Sequence, residues 1–187
     1  MRWSCTCSGV VERADRLGYK SDMPDDLPWI IRASDRAKIP EESQQHPLNP
    51  NSEIHGWSLS DLVGLQRVGL YFIRVPPGKE SFILHNHYVQ EEFMFVLSGK
   101  GMARIGEAEH EIGPGDFVGF RTPSVLHHLR NHGSEDLVYL TGGEKGQFEI
   151  ADFPTVGKRL VRAGNEVKLY PLDAGEPLVP PASGETR

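Results

Sequence analysis

The chain has few cysteines, and this shortage excludes two classes of protein. Only Cys5 and Cys7 occur among the 187 residues, and a disulfide across one intervening residue would be strained. A zinc site built on thiolates needs more ligands than one such pair supplies. We therefore expect neither a disulfide scaffold nor a cysteine zinc site, and we expect an N-terminus without fixed structure.

Excess positive charge and long apolar runs are also lacking. The formal net charge is -6, from 20 Lys and Arg against 26 Asp and Glu, whereas nucleic-acid binding is typically accompanied by a basic excess. No apolar run reaches the roughly 20 residues that span a membrane. The apolar core of a signal peptide is absent from the opening MRWSCTCSGVVERADR. We predict a cytoplasmic protein that binds neither nucleic acid nor membrane.

Glycine and proline, by contrast, are abundant and divide the chain into short segments. The 20 Gly and 14 Pro favour turns. From about Leu65, turns alternate with β-rich runs such as RVGLYFIRV, EFMFVLS and LVYLTGG, a pattern typical of a β-sandwich or barrel. We predict a largely irregular N-terminal arm over residues 1–60, a β-barrel domain over 61–150, and a C-terminal extension over 151–187 with a late strand or hairpin and a disordered tail.

The arm contains one apolar stretch that predicts its contact with the barrel. Its segments SDMPDDLPWI and HPLNPNSE are rich in residues that favour turns. The stretch PWIIRASD is compatible with one short strand. We expect Trp29, Ile30 and Ile31 to pack on the main domain.

Histidines are concentrated in two short windows, and the first is HNHYVQEE. His85 and His87 are two residues apart, so both imidazoles would face the same side of a strand. A turn would then reverse the chain and bring a carboxylate beside them. We prefer Glu92 because it opens the cleaner alternating strand, and we treat Glu91 as its solvated neighbour.

The second window, VLHHLRN, offers a fourth ligand. His127 and His128 would face opposite ways on a strand, and His127 shares its face with apolar residues, so we choose His127. Three imidazoles and one carboxylate suit Fe, Mn, Ni, Cu or Zn. One divalent transition metal is therefore predicted, although a polar strand end rich in histidine is the simpler alternative.

These residues resemble the two motifs of the cupin superfamily. The first motif, G-x5-H-x-H-x3/4-E-x6-G, matches from Gly78 to Gly99 with one extra residue in the first gap. The second motif, G-x5-P-x-G-x2-H-x3-N, is matched by Gly115, Pro123 and the H-x3-N segment that begins at His127, and it departs around the proline. The resemblance covers about residues 65–145.

The resemblance implies an all-β fold, the double-stranded β-helix or jelly-roll barrel, with the metal inside one end. It implies His85, His87, Glu92 and His127 as the metal ligands, and frequent dimers, so we expect a homodimer. Some small bacterial cupins carry the name of sugar phosphate isomerases. Because fold does not fix function, the reaction has to be argued from the site.

Four protein ligands would leave one or two metal positions open, which is typical of catalytic rather than structural sites. We predict a metal-dependent enzyme acting on a small polar organic molecule, either a dioxygenase or an isomerase or lyase. The alternative is a non-catalytic metal-dependent binding or sensor module. A third reading is a structural barrel in which the metal only stabilises the fold.

Strand parity also suggests residues around the substrate. Residues on the same face as the ligands would form apolar pocket walls, and Arg74 would reach a polar group of the ligand. The predicted pocket residues are Ile83, Met94, Leu129 and Arg74. No residue resembles an independent nucleophile, and the candidates for a catalytic group are Glu91 and Tyr88.

Overall fold

The structure, a computed structural model, describes residues 27–176. Cys5, Cys7 and the predicted tail beyond residue 176 therefore lie outside the described residues. Within them the regular secondary structure consists mostly of short antiparallel strands grouped in three sheets. The predicted all-β fold class is confirmed.

The largest sheet has six strands and forms the main wall. Its spatial order is β1 (Glu42–Gln44), β2 (Ile54–Ser58), β3 (Val68–Val75), β10 (Leu137–Glu144), β5 (Glu92–Ser98) and β8 (Phe117–Phe120). Three of these strands, β3, β5 and β10, come from the runs singled out in the sequence.

Among the described residues, two smaller sheets and three short helical segments accompany the main sheet. One sheet has the order β13 (Glu166–Pro171), β12 (Lys158–Ala163), β11 (Phe148–Phe153) and β4 (Asn86–His87). The other has the order β7 (Ala108–Ile112), β6 (Gly101–Ile105) and β9 (His127–Arg130). The helical segments are α1 (Ala33–Arg36), α2 (Leu59–Leu62) and a 3-10 turn at Pro154–Val156.

Strand β5 shows why the sequence builds a barrel wall. Met94 and Val96 are buried inside, while Phe95 and Leu97 alternate with them on the outer face, as the two-residue period of a strand requires. The strand ends at Ser98 and is followed by Gly99, whose φ of +76° favours glycine. The buried residues of several strands form one continuous core: Ile54, Ile73, Val75, Met94, Val96, Ala103, Ile112, Phe120, Leu129, Leu137 and Tyr139.

The predicted contact of the arm with the barrel is wrong for two of its three residues. Trp29 is 95% exposed and Ile30 is 65% exposed, and the region continues into α1 rather than a strand. The arm contacts the sheet instead through Arg36, whose guanidinium lies 5.2 Å from the ring centroid of Trp57. The apolar composition of this stretch did not indicate which surface of the barrel it would contact.

The predicted domain limits differ from the ends of the sheets. Strand β2 precedes residue 60 and pairs with β3 in the main sheet. Strand β11 spans the limit at residue 150 and pairs with both β4 and β12. The C-terminal segment is therefore continuous with the sheet that carries β4, and its predicted late hairpin is formed by β12 and β13.

Among residues 27–176, no helix combines the length and apolar character needed to cross a membrane.

Candidate metal centre

Three strand ends bring the four predicted ligands together. His85 and His87 lie at β4, Glu92 is the first residue of β5, and His127 is the first residue of β9. His85 and His127 also form an isolated antiparallel bridge, with main-chain N–H···O distances of 3.1 and 2.7 Å. Main-chain pairing therefore fixes the relative position of the two histidine windows.

The donor atoms of these side chains converge on one small volume. One ligand atom from each of the four residues lies within 4.8 Å of the others. The Nε2 atoms of His85 and His87 are 3.1 Å apart. Oε2 of Glu92 lies 3.2 Å from Nε2 of His87 and 3.6 Å from Nε2 of His127.

Hydrogen bonds on the far side of two rings set their orientation. Nδ1 of His85 donates to the carbonyl of Ile83 at 2.7 Å, and Nδ1 of His127 donates to the carbonyl of Val125 at 2.9 Å. Because a carbonyl oxygen only accepts, each Nδ1 carries a proton and the neutral ring presents an Nε2 lone pair to the cluster. A second partner of this kind is usual for histidines that bind metals.

The geometry fits a bound cation. Nε2 of His127 is buried and has no hydrogen-bond partner among the described residues, which is costly for a polar atom. At metal–donor distances of about 2.1 Å, neighbouring donors lie roughly 3.0–3.5 Å apart. The observed separations of 3.1, 3.2 and 3.6 Å are close to that range. A cation would satisfy lone pairs that otherwise face one another.

Electrostatics favour the protonation states that a metal requires. Burial, together with the charges of His127 and His87, lowers the pKa of His85 to about 3, so this ring stays neutral. Burial opposes ionisation of Glu92, but the adjacent imidazoles of His127 and His87 outweigh it and hold the pKa of that carboxyl well below its usual range. A neutral imidazole and an ionised carboxylate are the forms that coordinate metals.

Neighbouring side chains hold the ligands in place. The hydroxyl of Thr141 donates to Oε1 of Glu92 at 3.1 Å. The ring of Phe120 stacks on His127 with centroids 3.8 Å apart and planes 14° from parallel. Oγ of Ser124 accepts from the main-chain N–H of His87 at 2.7 Å.

The other predicted residues near the centre have different surroundings. His128 lies outside the cluster, with Nε2 at 3.3 Å from Oε2 of Glu80. Glu91 is exposed and borders a cleft next to Glu92. Tyr88 donates its hydroxyl to Asp152 at 2.9 Å, so that hydroxyl is already engaged.

An open cleft of about 730 Å³ adjoins the centre at Glu92. Its lining is mainly apolar, with Arg121 as its basic side chain. It is formed by Val68, Glu91, Glu92, Phe93, Ile105, Phe117, Gly119, Phe120, Arg121, Pro123, Ser124, Val125, Gly143 and Glu144. Small-molecule sites commonly combine an apolar lining with a few polar groups.

The predicted pocket walls are not part of this cleft. Ile83, Met94 and Leu129 are buried in the barrel interior, because the face that carries the ligands also carries the close-packed core. Arg74 is held by two carboxylates elsewhere, at 2.7 Å from Glu41 and 3.1 Å from Asp136.

Sequence reasoning also missed residues that the structure places at the site. Arg121 and Ser124 lie between the second motif's glycine and its histidine, in a loop whose path strand parity does not predict. For Glu149 the sequence did contain a signal. Glu149 lies on the same face of β11 as Ala151 and Phe153. Because side chains alternate between the two faces of a strand, this position predicts an inward-facing carboxylate.

Comparison with known proteins agrees with this architecture. The family model for the cupin domain matches residues 71–142, a range that contains all four clustered residues. A crystal structure of a "Putative sugar phosphate isomerase" from Acidithiobacillus ferrooxidans is 36% identical, with a TM-score of 0.77, and the match covers 80% of this chain and 96% of that one. The chain belongs to the cupin superfamily.

Two further relatives are more distant. A structure described as a sugar phosphate isomerase from a cupin superfamily, from Silicibacter pomeroyi, is 23% identical, with a TM-score of 0.65 and coverage of 75% of this chain and 90% of that one. It supports the fold alone. An uncharacterised protein of Methanocaldococcus jannaschii is 32% identical over 66 residues, which is 35% of this chain and 51% of that protein. The match thus spans about half the length of this curated relative.

Proposed function

We propose that this protein is a metal-dependent enzyme acting on a small polar organic molecule, with one divalent transition metal held by His85, His87, Glu92 and His127. The observation that carries the proposal is the buried Nε2 of His127, which lacks a hydrogen-bond partner within residues 27–176 and lies 3.6 Å from a Glu92 oxygen. The ligand set suits Fe, Mn, Ni, Zn or Cu. When bound, the metal supplies a Lewis acid that polarises a substrate oxygen.

We infer isomerase or lyase chemistry on a sugar phosphate as the reaction class. The support is the 36% identity, over 80% of the chain, to the Acidithiobacillus ferrooxidans protein described as a "Putative sugar phosphate isomerase". The cleft beside Glu92 has room for such a substrate, since about 730 Å³ lies within the usual range for small-ligand sites. The homodimer and the cytoplasmic location remain predictions.

Arg121 is our candidate for binding the anionic group of the substrate. Arg121 lines the cleft and its side chain is exposed. Its planar guanidinium offers paired N–H donors that match a phosphate or carboxylate. Arg121→Gln should therefore raise KM while leaving the metal content and kcat nearly unchanged.

Glu91 is our candidate for the proton-transfer step that an isomerase requires. The side chain is exposed, borders the cleft and is adjacent in sequence to Glu92. A positioned general base typically contributes about 10²–10⁴-fold to the rate. Glu91→Gln should lower kcat by a factor in that range, whereas the bound metal should be retained.

The decisive assay uses the full chain loaded with Mn²⁺, Ni²⁺, Zn²⁺ or Fe²⁺ and a panel of aldose and ketose phosphates, kept free of oxygen and followed by NMR. Interconversion that disappears in His127→Ala supports the proposal. Turnover that requires oxygen, with the iron protein alone, would replace it with a dioxygenase. Ligand-induced stabilisation without any product would favour the binding or sensor module.

A further inference from the structure

Glu149 is a buried carboxylate beside the metal centre, on strand β11 and outside the region matched by the cupin model. Only 3% of the residue is exposed, and a buried carboxylate is costly unless it is paired or hydrogen-bonded. No Lys or Arg side chain within residues 27–176 forms an ion pair with it; His87 is the basic residue nearest to its oxygens, at 3.8 Å.

Its oxygens instead bind the main chain that links two ligands. Oε1 accepts from the N–H groups of Tyr88 and Val89 at 3.2 and 3.3 Å, and Oε2 accepts from the N–H of Gln90 at 2.8 Å. Residues 88–91 connect His87 on β4 with β5, which begins at Glu92. The carboxylate therefore fixes the turn that sets the separation of these two ligands.

The same carboxylate faces the one clustered imidazole that lacks a second partner. Nδ1 of His87 is buried without a hydrogen bond among the described residues, although Oε2 of Glu149 lies 3.8 Å away. In His85 and His127 the corresponding atom donates to a carbonyl. A neutral ring that coordinates through Nε2 carries its proton on Nδ1, and that proton needs an acceptor.

We propose that Glu149 is a positioning residue of the metal centre: it holds the turn that presents Glu92 and, when the metal binds, closes the 3.8 Å gap to His87 and accepts its Nδ1–H. This inference rests on the proposed function, since it concerns the same metal. A carboxylate behind a coordinating imidazole makes the ring a stronger donor, and loss of such a partner typically weakens metal affinity 10–100-fold.

Glu144 supplies a matched control. Its Oε2 also accepts a main-chain N–H from the same connection, that of Glu91, at 3.1 Å, but Glu144 is exposed, and the carboxylates that form ion pairs with His87 are those of Glu92 and Glu149. Glu144→Gln therefore changes a carboxylate of the same connection without changing the environment of the imidazole.

The test measures Co²⁺ affinity by competition with a chromophoric chelator, and the visible spectrum of the bound Co²⁺. Glu149→Gln should weaken binding 10–100-fold and alter the spectrum, while Glu144→Gln should stay within about twofold of the original protein. Unchanged Co²⁺ affinity in a folded Glu149→Gln protein would overturn the inference and leave the metal site standing. Absence of metal binding by the unmodified protein would overturn both.

A second measurement needs no variant and so does not depend on the folding of Glu149→Gln. In the Zn²⁺-loaded protein, NMR of the histidine side chains should show His87 protonated at Nδ1, with that proton protected from exchange with water. An unprotonated Nδ1, or a proton that exchanges as fast as that of the exposed His132, would refute the role of Glu149.

Discussion

Substitution of His127 by alanine should abolish the stabilisation of the protein by metal, and the size of the effect can be worked out. At a free metal concentration of about 100 times Kd, linkage gives about 2.7 kcal/mol. For a chain of this length one kcal/mol corresponds to roughly 2–4 °C in Tm. Metal should therefore raise the Tm of the unmodified protein by about 5–11 °C.

The variant should lose nearly all of this increment. Loss of a group that merely orients a ligand costs up to about 100-fold in affinity, so loss of the ligand itself should cost at least that much. The same metal concentration would then equal Kd or less, and the stabilisation would fall to about 0.4 kcal/mol, or roughly 1 °C.

Calorimetry with and without metal measures the increment directly. His127→Ala will also destabilise the metal-free protein, because the ring is fully buried and stacked on Phe120, but that loss cancels in the difference between the two scans. His128→Ala is the control, since His128 contacts Glu80 outside the cluster. Equal metal-induced shifts in the two variants would refute the choice of His127 as the ligand.

Three further predictions concern the same centre and the barrel that carries it. Glu92→Gln should reduce bound metal, measured by elemental analysis, more than Glu91→Gln does; the reverse order would move the ligand to Glu91. The metal-free protein should lose stability as pH falls from about 6.5 toward 4.5, by up to about 1.4 kcal/mol per pH unit, because the unfolded state protonates His85 while the folded state, with a pKa of about 3, does not. His85→Gln should flatten this part of the denaturation profile, and parallel profiles would contradict the assignment. Gly99→Ala should cost about 2–4 kcal/mol by denaturant unfolding, because φ is positive and a Cβ would overlap a main-chain carbonyl oxygen, whereas Gly113→Ala meets open space and should be nearly neutral.

The barrel strands could be predicted from the sequence because buried and exposed side chains alternate along them. The run EFMFVLS coincides with β5, and its inward residues Met94 and Val96 are buried. The same parity argument distinguished His127, at the cluster, from His128, which contacts Glu80. Strand parity predicts which side chains face inward where one face of the sheet is buried, since a shift of one residue would move every buried side chain to the solvent face.

The predicted substrate residues depend on distant partners that strand parity does not reveal. Arg74 was expected at the substrate, but its partner Glu41 is 33 residues away in the sequence. The predicted pocket walls share a face with the ligands, yet that face continues into a close-packed core rather than a cavity. Strand β4 has only two residues, Asn86 and His87, and the preceding His85 pairs with His127 through an isolated bridge.

Elemental analysis of the full chain, purified without chelators or a metal-affinity tag, measures whether the four clustered side chains hold a metal. We expect about one equivalent of a transition metal per chain, lost in His127→Ala and retained in His128→Ala. Iron would direct the search toward oxygen-dependent chemistry, and manganese, nickel or zinc toward the isomerase. Absence of bound metal in the unmodified protein, even after reconstitution, would refute the proposed metal centre.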